Sequence, residues 1–237
     1  MTVEGQLQLE SFDGRRLVLE SVRNVTESKA WAERQDMLLR ELNHRVRNTL
    51  TVVQAIAHQT RRTSNSLGDF VERFDGRLAA LASAHNLLMQ SEWKGADLAT
   101  LARDHVMPYS SDVPNRFRLE GEPLVLPAEL ATPFGLVLHE LATNAAKHGS
   151  LSNPDGGIEL RWRIIASDGT RDLELTWREW GGFVTGPPGR PGFGSTLIEV
   201  AIPNANVERK FLENGLICTI RVSLPPARQK EVEAKQR

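Results

Sequence analysis

The sequence predicts an α+β chain in which a two-helix hairpin precedes a mixed α/β domain. Three observations predict it. From about Ala30 to Arg62 there is no Pro or Gly, and Leu39, Leu42, Val46, Leu50, Val53 and Ala57 recur at spacings of three and four. A second stripe of the same period, Phe70, Phe74, Leu78, Leu81, His85 and Leu88, follows the turn Thr63–Gly68. Beyond Trp93-Lys94-Gly95 the pattern changes to short strand-like and helix-like segments broken by Gly and Pro.

The whole chain sets bounds. Its 237 residues suffice for one or two domains with a real core. A net charge of −1 argues against bulk attraction to nucleic acid or an anionic membrane. The single cysteine, Cys218, excludes a disulfide framework and a Cys-based zinc site, and fits a reducing cytoplasm. No apolar run is long enough to span a bilayer, and residues 1–15 lack a signal-peptide pattern, so the expected location is cytoplasmic.

Residues 6–23 read as a hairpin: Leu7 and Leu9 alternate with polar residues, Asp13-Gly14 marks a turn, and Leu17, Leu19 and Val22 resume the alternation. Two antiparallel helices cannot bury both of their seams alone, so pairing through residues 30–93 into a homodimeric four-helix bundle is one natural outcome, and docking of the later α/β domain, which would also partly satisfy the seams, is another. A plain oligomerisation element would show the same pattern. A short helix is expected over 98–107, strands over 117–120 and 124–126, and a helix from about Ala128 that Pro133 must kink or restart. Gly149 should stop that helix in a left-handed conformation. Further strands are expected over 158–165, 173–177, 207–211 and 216–223, with a Gly/Pro-rich loop over 181–194 and a short helix from Ser195. The charged tail, 227–237, reads as disordered.

Three segments could carry chemistry. His44, in Glu41-Leu42-Asn43-His44-Arg45-Val46-Arg47-Asn48, lies roughly 150° from the centre of the first stripe, so it points to solvent beside Arg40, Arg47 and Thr51. An exposed neutral imidazole has one ring nitrogen free as a nucleophile, and Asn48, one turn on, can bond the ring or orient a water. Most surface histidines do nothing of the kind. Glu140, Asn144 and Lys147 share a helix face that offers a carboxylate, an amide oxygen suited to Mg²⁺ and an ammonium for phosphate, although a solvated face has the same spacing. His139 lies about 100° away and is expected to be structural. Finally, a strand ends at Glu179 and runs into Gly181-Gly182. Its carboxylate could accept from an adenine amino group, with the glycines admitting the base. Gly192 and Gly194, just before a helix, would supply backbone amides for a triphosphate.

These motifs, in this order over roughly residues 36–224, resemble the HWE type of bacterial sensor histidine kinase. That subfamily is named for a histidine in the Asn-bearing helix, here matching His139, and a Trp-x-Glu motif, here matching Trp177 and Glu179. The resemblance implies four parts: a PAS-like hairpin remnant and linker (1–29), a dimerisation and phosphoacceptor segment (30–93), an ATP-binding sandwich of the Bergerat or GHKL type shared with gyrase (94–226), and the tail. By the same resemblance His44 is autophosphorylated from ATP, and Asn144 is the Mg²⁺-linked ligand, with Lys147 and His148 beside it in the nucleotide site. Glu179 stands for the usual adenine-binding aspartate, Gly192 and Gly194 belong to the phosphate loop, and the phosphoryl group passes to an aspartate of a response regulator receiver domain. His44 is followed by Arg45, not by the carboxylate many such kinases use as base, which leaves Glu140 as the candidate. His148 sits where tyrosine is frequent and Phe183 where proline is usual. Too few residues precede the hairpin for a whole sensor, so the upstream sensor module is expected to be missing or separate. Two other readings share these residues: an ATPase of the same superfamily, and a non-enzymatic phosphorelay scaffold.

Overall fold

A computed structural model describes residues 3–12, 15–24, 26–110, 116–167, 170–182, 202 and 204–225. The chain divides into two compact units, Met1–Ala55 and Ile56–Arg237.

In the first unit β1 (Val3–Phe12) and β2 (Arg15–Asn24) pair antiparallel, in register from Val3 opposite Asn24 to Phe12 opposite Arg15. Asp13-Gly14 lies outside the described residues. Asn24 opens the helix α1 (Thr26–Thr63), its Oδ1 accepting from the Thr26 amide at 3.1 Å and hydroxyl at 2.7 Å. This cap starts the helix about a turn before Ala30, where the helical stretch is expected to begin. Asp36 with Arg40, and Glu41 with Arg45, pair one turn apart along it. The stripe itself lies at the surface: Leu39, Leu42 and Leu50 are each more than half exposed.

The second unit takes in the end of α1 and the helix α2 (Leu67–Gln90), which Ser66 caps by accepting from the Asp69 amide. β3 (Ala96–Asp97) leads into α3 (Leu98–Ser110). Then come β4 (Phe117–Gly121), β5 (Val125–Leu126), which pairs with β3, and α4 (Ala128–His148). After a 3-10 turn at Ser150–Ser152 follow β6 (Gly157–Ser167), β7 (Thr170–Trp180), β8 (Asn206–Leu212) and β9 (Gly215–Leu224). The main sheet has the order β4-β6-β7-β9-β8, with β4 parallel to β6 and the other pairs antiparallel. Leu98, Leu101, Phe134, Val137, Leu138 and Leu141 from the helices meet Ile158, Leu160, Leu175, Trp177 and Ile220 from the sheet in one buried core. This is the α/β sandwich, a helical layer on a mixed sheet.

Three local expectations are corrected. α4 does not restart at Pro133 but continues through it as one helix, because the proline sits in the second turn and forfeits only the bond to the Glu129 carbonyl. Gly149 ends α4 at φ −116°, not in the left-handed region. And α2 buries Leu81 and Leu88 of the expected stripe together with Arg77, Ala80 and Ala84, while the first turns of the stripe are less covered. Phe70 and Phe74 stack on each other half-buried, at 5.6 Å between centroids, and Leu78 is exposed. The face with Gly76, Ala80 and Ala84 allows a closer approach to α4. A Cβ at Gly76 would meet His139 Nε2 at 3.0 Å.

Candidate functional site

Helix α4 presents its apolar side, Phe134, Val137, Leu141 and Ala145, to the core and turns Glu140, Asn144 and Lys147 the other way. That polar face meets α2. Arg77 donates to both Glu140 oxygens, Nε at 2.6 Å and Nη2 at 3.1 Å, and through Nη1 to Thr60 Oγ1 at 2.7 Å. Thr60 in turn donates to the Ile56 carbonyl. Arg77 and Glu140 are both buried, so the bidentate geometry offsets a large desolvation cost. Glu140 is therefore a clasped carboxylate in this arrangement, not one open to a proton donor. Lys147 Nζ binds Glu72 Oε1 at 2.6 Å, a largely exposed pair, while Asn144 and His148 are exposed.

His139 is packed, as expected. It lies 6.4 Å from the His105 ring and 6.1 Å from that of Tyr109. Burial, then Arg77 and Lys147, push its imidazole down to about 4. Burial, then His139, do the same to His105, whose Nε2 has no hydrogen-bond partner among the described residues.

At the end of β7 Glu179 is 4% exposed. Trp177, two residues earlier and on the same strand face, donates its indole N–H to Oε1 at 3.0 Å. The Ser150 amide donates to Oε2 at 3.0 Å. Gly149 is glycine for this reason, since a Cβ there would overlap Oε2. Gly181 takes φ +72°, a conformation that favours glycine, and its carbonyl accepts from Asn153 at 2.6 Å. Gly181 and Gly182 also pack closely against the backbones of Gly156 and Ser150. Gly192 and Gly194, with the helix expected from Ser195, lie outside the described residues.

His44 is exposed on α1, with Asn48 Nδ2 3.5 Å from its Nδ1. Arg47 and Thr51 are exposed along the same helix, whereas Arg40 and Arg45 are held by their acidic neighbours. Among the described residues no group of three or more His, Cys, Asp or Glu side chains could hold a metal by itself, and no helix is long and apolar enough to cross a membrane.

The profile of the HWE histidine kinase family matches residues 41–123. Blue-light-activated histidine kinases of Brucella anthropi and Brucella ovis are each 32% identical, over 83% and 89% of this chain and 41% and 44% of their own lengths. This chain belongs to the HWE histidine kinase family. It spans less than half the length of those curated relatives. The blue-light activated histidine kinase of Erythrobacter litoralis shares the fold, with a TM-score of 0.51 at 19% identity over 91% of this chain and 65% of that one.

In this HWE chain the sequence missed three residues. Arg77 was hidden because an arginine at an apolar-stripe position reads as a surface charge, and its partner is 63 residues away. Arg116 holds the turn after α4 by donating to the carbonyls of Gly156 at 2.7 Å, Leu151 at 2.9 Å and Asn153 at 2.5 Å; a lone loop arginine carries no signal. The Trp177 indole was legible only as half of the Trp-x-Glu motif, although the i, i+2 spacing on a strand put the two side chains on one face.

Proposed function

We propose that this chain is an ATP:protein-histidine phosphotransferase, with His44 as the phosphoryl acceptor and an aspartate of a response regulator as the next one. The observation that carries it is the exposed His44 imidazole on α1 with Asn48 one turn on. Asn48 Nδ2 faces His44 Nδ1; with the amide flipped, its oxygen would keep the proton on Nδ1 and leave the Nε2 lone pair free. Nε2 attacks the γ-phosphorus, the bond to the β–γ bridging oxygen breaks, and ADP leaves with that electron pair. The ring then sheds its Nδ1 proton to a base. Glu140 would have to leave Arg77 to be that base.

Glu179 would accept from the adenine amino group, Lys147 and His148 would reach the phosphates, and Gly192 and Gly194 would line the phosphate loop. The exposed Asn144 amide oxygen would hold Mg²⁺, which would neutralise phosphate charge. The exposed stripe of α1 supports pairing of two chains through residues 30–93, and the buried lone Cys218, with its thiol pushed up to about 12 by burial, suits a reducing cytoplasm.

The test is labelling of the chain with γ-labelled ATP. Acid-labile label should appear on the wild type and vanish in His44→Gln and Asn144→Ala, with His44→Gln still binding nucleotide. Full labelling of His44→Gln would discard the proposal. Steady phosphate release indifferent to His44 would instead mark an ATPase. That reading also needs Glu140 as a water base, and both Glu140 oxygens are engaged by Arg77.

A further inference from the structure

We infer that Trp177 is a positioning residue for base recognition: its indole N–H and the Ser150 amide aim the Glu179 carboxylate so that it takes a 6-aminopurine and refuses a 6-oxopurine. The inference rests on the ATP reading and names what sets the specificity of that same site.

The two donors are rigid and of different origin. Trp177 is fully buried in the core, so its ring cannot turn without opening the sandwich. The Ser150 amide belongs to a turn that Arg116 fastens through its carbonyls, and Gly149 leaves room for Oε2 and nothing larger. The bonds are 3.0 Å each, one to each oxygen. Two donors flanking one group require acceptors on both sides. A carboxylate supplies them, whereas the amide of glutamine would offer one oxygen and set its NH₂ against the other donor.

A carboxylate has about four lone-pair directions, and the two donors use one on each oxygen. What remains accepts hydrogen bonds and donates none. The exocyclic amine of adenine fits that, and the 6-oxo group of hypoxanthine or guanine meets it acceptor to acceptor. A site built this way discriminates strongly, because the wrong base leaves a desolvated carboxylate unpaired. Phenylalanine would keep part of the packing at position 177 but no N–H, and here the N–H goes to Glu179.

The experiment measures ATP and ITP binding to the whole chain by calorimetry, for the wild type, Trp177→Phe and Trp177→benzothienylalanine. The last keeps the indole shape and replaces N–H with sulfur, so it decides the matter should Trp177→Phe fail to fold. The wild type should prefer ATP. Variants lacking the N–H, with unchanged circular dichroism, should bind ATP about tenfold more weakly, roughly the loss of one charge-assisted hydrogen bond. Their affinity for ITP should hold, so the ATP-to-ITP ratio collapses. A folded benzothienylalanine variant with the wild-type ratio would show that the indole merely fastens Glu179, and would overturn the inference while leaving the ATP reading intact. A wild type that binds neither nucleotide overturns the ATP reading first, and this inference with it.

Discussion

The middle of α4 and the end of β7 each bury a glutamate, and they treat it in opposite ways. Glu140 faces a guanidinium that binds both oxygens and cancels its charge. Glu179 faces two neutral N–H groups, which orient the carboxylate and leave its charge in place. A buried carboxylate with a full counter-ion is a fastening between elements, here α2 to α4. One held by dipoles alone keeps capacity for a further partner, and that is the physical ground for proposing Glu179 as the base-recognising carboxylate.

The largest effect should come from breaking the charged pair. Arg77→Ala leaves Glu140 buried and uncompensated, and should cost about 3–5 kcal/mol. Removing both charges together, as Arg77→Met with Glu140→Leu, should recover most of that, since well-packed apolar replacements of buried ion pairs are often neutral. Urea melts check this. The single variant should lower the midpoint at unchanged slope, and a double variant as unstable as the single would show that the pair is more than a charge balance.

Acid should act on the same seam next. His105 and His139 are held neutral, with folded values of about 4 against 6.5 when unfolded. The unfolded chain therefore binds more protons between those values, and stability is lost as pH falls from 6.5 toward 4. By pH 5 each ring should have forfeited about 2 kcal/mol, roughly 4 for the two. Stability measured from pH 7 to 5 in the wild type and in His105→Phe checks it; the variant should show about half the pH dependence. Equal slopes in both would mean that His105 is not a titrating group of this window.

How much of this contrast was legible beforehand follows from the range of the interactions. The strands, α4 and the helix face shared by Glu140, Asn144 and Lys147 follow from periodicity, which is local. The hairpin of residues 6–23 was readable because its turn and alternation lie within twenty residues. The buried side of α2 was legible in Leu81 and Leu88 but not in Arg77, whose burial depends on Glu140 of α4 across the fold. Gly149 was placed correctly as a stop for the wrong reason. Its neighbour is Glu179, thirty residues on, and no helix-end pattern contains that. Trp177 and Glu179 were recognised as a motif, but the bond between them needs coordinates.

A smaller effect should sharpen the Glu179 side. Gly149→Ala sets a methyl against Oε2 and, at 2.9 Å, against the Ala145 Cα. Overpacking of this kind costs about 1–3 kcal/mol. It should also push the carboxylate off the Ser150 amide and weaken ATP. Loss of stability with ATP affinity unchanged would reduce the Ser150 contact to a fastening, like that of Glu140.

The smallest stability effect should come at Lys147, and it separates two roles of one side chain. Its pair with Glu72 is largely exposed, so Lys147→Ala should cost only about 0.2–1 kcal/mol, far below Arg77→Ala on the neighbouring helix turns. If the ammonium instead serves the phosphates, the same variant should weaken ATP while leaving AMP, which lacks the terminal phosphates, nearly untouched. Added salt should shrink the difference, because an exposed charge is screened within about 10 Å at 0.1 M. Glu72→Gln provides the opposing control: freeing Lys147 from its carboxylate should strengthen ATP if the two compete for it. Unchanged ATP affinity in both variants would assign Lys147 to the α2–α4 seam alone, and would leave Asn144 as the member of that helix face still open to the nucleotide.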